Sequence, residues 1–158
     1  MRCENKSKYI LIILIPLIIG IIINRVNFIL QIYSTVPWIF VIAFIIFWFW
    51  VGKVFAKANH NRVKSFLIGS SLWAISFLFY LWQFVLVNDA NKNFIIAGIS
   101  ENYMILIVPI ATKIMMMFTD IIDGTIISIV SYILMFIIFS IGFIYESLKE
   151  DSSLQDES

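Results

Sequence analysis

Apolar residues run with little interruption over 9–23, 36–51, 65–87 and 124–145, and short polar segments divide these runs. A bilayer core of about 30 Å is crossed by about 20 residues of helix, so each run predicts a membrane span. The first contains Pro16 and Gly20 and follows a basic start at Arg2, Lys6 and Lys8. A cleaved secretion signal begins the same way, but it ends in a small-x-small site. This run ends in "GIIINRVN", so it reads as an uncleaved anchor that continues to about residue 27.

The second span, 36–52, opens with Pro37 and Trp38 and closes with Trp48, Phe49 and Trp50. Amphipathic rings collect at headgroup level, so the cluster predicts an aromatic belt, with Gly52 marking the exit into water. The third, 65–87, holds Trp73, Tyr80 and Trp82, and the fourth occupies 124–145. The segment 146–158, "ESLKEDSSLQDES", is too polar to pack and predicts a disordered acidic tail.

Residues 94–118 are apolar only in patches, and any window of spanning length includes Glu101, Asn102, Pro109 or Lys113. A charge at mid-membrane costs about 2.5 to 3.5 kcal/mol, against about 0.3 to 0.6 gained per large aliphatic residue. The expectation is a re-entrant or interfacial segment at the outer surface, held by its neighbours, with a fifth span as the alternative. The fold class that follows is an all-α integral membrane protein. It is a single transmembrane domain over 1–145, a small bundle of four spans, or five if 94–118 crosses.

Composition agrees: 61% of residues are hydrophobic and 13% charged, where soluble domains have roughly half and about a quarter. The net charge of +1 gives no reason to expect a nucleic-acid partner. A lone cysteine, Cys3, excludes an intramolecular disulfide, a cysteine-based zinc site and a CxxC redox motif, and with no polarising neighbour it reads as inert. Heavy use of Ile, Asn, Lys and Phe fits an AT-rich coding sequence and hence a bacterial source.

Lys and Arg in short loops set orientation. With four spans, Arg2, Lys6, Lys8, Lys53, Lys57, Arg62, Lys64 and Lys149 fall on one side and Arg25, Lys92 and Lys113 on the other. The richer side is expected to be cytoplasmic, with both termini on it, in the plasma membrane. The basic loop 53–64 reads first as this topogenic signal and second as a contact for anionic lipid. His60 within it lacks a second His or Cys and reads as solvated, not as a ligand.

Two helix faces stand out. On the third span Gly69, Ser76 and Gln83 recur every seven residues, with Trp73 and Tyr80 between them, so all five share a face. That face predicts either a polar, aromatic-lined crevice for a small ligand or a helix-packing surface. On the fourth span Gly124, Ser128, Ser131, Met135 and Gly142 keep within about 40° of one line and predict a close-packed seam. Asp120 and Asp123 also share a face, fit for a hard cation or proton transfer, or for the solvated entry of the last helix. Met115, Met116 and Met117 point about 100° apart and cannot converge on one ion. HExxH, GxSxG, a P-loop and a dinucleotide-binding glycine motif are all missing from the sequence.

The pieces "FWFWVGKVFA", "SFLIGSSLWAISFLFYLWQF" and "GTIISIVSYILMFIIFSIGF" resemble a group of uncharacterised small multi-span membrane proteins of Bacillus-type bacteria. The resemblance covers most of the chain from Phe47 onward and implies location alone. The expected function is that of a non-enzymatic membrane protein with no catalytic, cofactor-binding or metal-binding residue. Its partners are the lipid bilayer and another membrane protein or a second copy of itself, as for accessory subunits and immunity proteins. A small transporter or channel component, with the third-span face lining its path, is the rival expectation.

Overall fold

The computed structural model describes residues 3–30, 36–58, 61–119 and 123–155. Among the described residues the chain is all-helical: α1 (Cys3–Leu30), α2 (Val36–Ala56), α3 (Arg62–Tyr80), α4 (Phe94–Met104), α5 (Val108–Met116) and α6 (Gly124–Gln155). A π-helical turn, Leu81–Leu86, extends α3, and a short 3-10 turn, Asp89–Asn91, leads toward α4. Four stretches are long and apolar enough to cross a membrane: Lys8–Arg25, Trp38–Ala56, Arg62–Leu86 and Gly124–Glu150. Asn61 caps the start of α3 by accepting from the Lys64 amide, and Asp123 does the same for α6 through the Thr125 amide at 2.7 Å.

Helix directions follow from which residues meet. α3 runs antiparallel to α6, since Phe66 packs on Phe143 while Trp73 reaches Tyr132 and Tyr80 reaches Thr125. α2 runs parallel to α6, since Trp48 meets Met135 and Lys53 meets Glu146. Tyr9 packs on Phe55, which sets α1 antiparallel to α2. Arg25, Trp38, Gln83 and Gly124 therefore share one end of the bundle, and Ala56, Arg62 and Glu146 share the other.

The segment 94–118 is a V. α4 and α5 are bent by 75° at the intervening residues. The cause is Pro109, which has no N–H to donate and whose ring would clash with the carbonyl four residues back, so a new helix must start here. Both arms open toward the same end of the bundle. The Asn93 amide donates to Gln83 Oε1 at 2.7 Å where α4 begins, and Lys113 near the end of α5 sits 4.9 Å over the Trp38 ring. The apex lies inside, with Leu106, Ile107 and Tyr103 buried among Trp48, Tyr132 and Met135. Irregular backbone at membrane depth is tolerated when protein covers it, and here protein does.

α2 and α6 make the most extensive contact. A side chain on Gly52 would strike the Phe139 carbonyl, and one on Gly142 would strike the Phe49 carbonyl. The two glycines thus let the helix backbones touch. A third glycine, Gly20 of α1, lies against the Asn102 carbonyl of α4 in the same manner.

Three sequence expectations need correction. Trp48 is not a belt residue but part of the core, 1% exposed, while Trp50, two positions on, faces outward. Gly52 does not mark an exit into water, because α2 continues to Ala56 and uses this glycine for packing. Residues 146–155 are helical, an extension of α6, where the polarity of the segment predicted disorder.

Candidate functional site

The third-span face is the feature richest in polar groups, and the structure shows it closed. Gly69 lies against the rings of Phe55 and Phe139, with a Cβ there meeting atoms at 2.8 and 2.7 Å. Trp73 Nε1 donates to the Tyr132 carbonyl at 2.9 Å, and Ser76 Oγ shares a hydrogen bond with the Tyr132 hydroxyl at 2.8 Å. That hydroxyl also lies 2.8 Å from the Ser100 carbonyl, to which it donates. Tyr80 is buried, with its hydroxyl 3.5 Å from the Thr125 carbonyl. The π-helical turn carries Gln83 inward, where its side chain holds the N-cap of α4. Buried polar groups need partners in hydrocarbon, and here neighbouring helices supply them. At these residues the face packs helices together.

α6 is the hub of this packing. Trp48 Nε1 of α2 donates to the Met135 carbonyl at 2.9 Å, one turn from the carbonyl that takes Trp73 of α3. Each carbonyl has two lone pairs, so it can serve the helix ladder and an indole together. Of the predicted seam residues, Ser131 and Met135 are fully buried, Gly142 contacts α2, and Ser128 is half-buried. The hydroxyls of Ser128 and Ser131 donate back to the carbonyls of Gly124 and Ile127, both at 2.8 Å. Gly124 stands outside the seam, since a side chain on it would meet nothing within 4 Å.

At the other end lies a charged group that the sequence reading assigned to the tail. The Glu146 side chain is 3% exposed and sits between Lys57 Nζ at 2.8 Å and Lys53 Nζ at 3.2 Å. The hydrogen bond from Lys57 to Glu146 holds the Lys57 ammonium above the ordinary lysine range. Lys53 also lies 5.3 Å over the Tyr145 ring. A signal was present in the sequence: the seam spacing continues from Gly142 to Glu146, four residues on. The trio fixes the start of the basic loop to α6.

Asp123 uses its carboxylate as the cap of α6, while His60 and Asp120 lie outside the described residues. Among the described residues no group of three His, Cys, Asp or Glu side chains comes together to hold a metal ion. Met116 and Met117 are exposed at the end of α5. No protein family, curated protein or solved structure matches the chain.

Proposed function

We propose that this chain is a non-enzymatic multi-pass protein of the bacterial plasma membrane that works by associating with another membrane protein or with lipid, in the manner of an accessory or immunity-like component. The observation that carries the reading is the closure of the polar face. A conducting or transporting path needs polar groups that face water or solute. In this bundle the Trp73 indole N–H, the Ser76 hydroxyl and the Gln83 side-chain oxygen are taken by groups of α6 and the cap of α4. What remains for function is the outer surface.

Purification in mild detergent should bring down a stoichiometric membrane partner or bound lipid. Solute flux in liposomes that contain this chain alone would overturn the reading in favour of the transporter alternative.

The orientation that goes with this proposal puts both termini in the cytoplasm. It rests on the basic residues gathered at the Lys53 and Lys57 end and on an even number of crossings. A reporter active only outside the cytoplasm, fused after Ser158, should stay silent. Activity there would mean that 94–118 crosses the membrane.

A further inference from the structure

Between α1 and α4, at the end of the bundle that carries Trp38 and Gln83, lies an open groove of about 470 Å³. Its size falls within the range of about 300–1,000 Å³ usual for ligand sites. Ile21 of α1 and Phe94, Ile95 and Ile99 of α4 line it, and all four are exposed apolar side chains. Gly98 forms part of the floor, and nothing lies within 4 Å of where its side chain would be. The space above that glycine is what makes the groove.

The lining also has a polar edge. Asn24 donates to Asn102 Oδ1 at 3.0 Å, and Asn102 in turn donates to the Gly98 carbonyl at 2.7 Å. These amides tie α1 to α4 at the edge of the groove. Beside them stands Arg25, exposed and on the lining, at the last position of its membrane-spanning stretch. Among the described residues no carboxylate pairs with it. A guanidinium at the headgroup boundary, above an apolar trough that leads into the hydrocarbon, matches a molecule with an anionic head and an acyl tail.

We propose that the α1–α4 groove is a binding site for an anionic phospholipid, whose phosphate meets Arg25 and whose acyl chain lies along Ile21, Ile95, Gly98 and Ile99. The guanidinium fork suits two phosphate oxygens at once, and charge-assisted pairs of this kind are about twice as strong as neutral hydrogen bonds. A soluble anion would have no use for the apolar trough, and a purely apolar ligand none for Arg25. The proposal rests on the association reading above and names one associate.

The test is native mass spectrometry of the full chain, stripped of lipid and then offered phosphatidylglycerol or phosphatidylcholine with identical acyl chains. The wild type should retain one phosphatidylglycerol in preference to phosphatidylcholine. Gly98→Leu fills the groove from a position with free space and should lower retention of both lipids about tenfold or more. Arg25→Gln should remove the anionic preference, a change of about tenfold, while acyl-chain binding persists. Circular dichroism melting establishes that each variant folds. If Gly98→Leu does not fold, the exposed Arg25→Gln decides alone. Equal retention of the two lipids by wild type, or an unchanged preference in Arg25→Gln, overturns the proposal. So does a second copy of the chain in place of lipid, or binding of inorganic phosphate alone. A chain that captures a stoichiometric protein partner but no anionic lipid sinks this site and leaves the association reading standing.

Discussion

Trp48→Ala is expected to melt the detergent-solubilised bundle at a much lower temperature, while Trp50→Ala leaves it nearly unchanged. Trp48 fills the junction of α2, α6 and the apex of the V, stacked on Phe44 at 6.0 Å and edge-on to Tyr103 at 6.2 Å. Truncating a buried Trp in a soluble core costs about 3–5 kcal/mol. The lower part of that range applies here, because the separated helices would keep the indole in lipid and lose mainly packing. Trp48→Phe should cost about 1–2 kcal/mol, since it keeps a ring but gives up the bond to the Met135 carbonyl and part of the buried volume. Trp50, 46% exposed, has little packing to lose. Equal melting of the two alanine variants would return Trp48 to the aromatic belt.

Gly142→Ala and Gly124→Ala are the same chemical change in the same helix, with opposite expected results. At Gly142 the new methyl runs into the Phe49 carbonyl, so α2 and α6 must separate. Overpacking costs about 1–3 kcal/mol, and membrane helices have little hydrophobic drive to absorb it. At Gly124 the methyl points into open space and should be neutral or slightly stabilising. Gly52→Ala should resemble Gly142→Ala, because it drives the same two backbones apart at the Phe139 carbonyl. The double change should cost less than the sum, as expected for sites that share one displacement. Thermal melts of the four variants check this. Additive losses would mean that the two glycines serve separate contacts.

The spans were legible in the sequence because hydropathy reports how far a segment tolerates hydrocarbon. It does not report which face of a span meets lipid and which meets protein, since both are apolar. Trp48 and Trp50 illustrate the limit: about 200° apart on a helix, one is buried and the other exposed, and they do not differ at all in hydropathy. Polar residues were more informative. Ser76, Gln83 and Ser131 are all buried between helices; the first two find partners on other elements, while the Ser131 hydroxyl bonds back to its own helix. Whether they lined a crevice or a contact depended on groups elsewhere in the chain, namely the Tyr132 hydroxyl and the Asn93 amide. Glycines were ambiguous for a related reason. Gly52, Gly142 and Gly124 look alike until the backbone opposite each is known. Glu146 was lost to the assumption that charge means water, although its place on the seam line is visible once Lys53 and Lys57 are brought to face it.

The V of α4 and α5 has a consequence for the order in which the protein is built. Its apex carries irregular backbone that hydrocarbon alone does not tolerate, and α5 finds most of its cover on α6. A ribosome working from the first residue completes 94–118 before it begins the helix that shelters them. α4 has its main cover on α1 and α3, which precede it, but α5 is left without its main cover until the final span arrives. Assembly of this bundle ends in the middle of its chain.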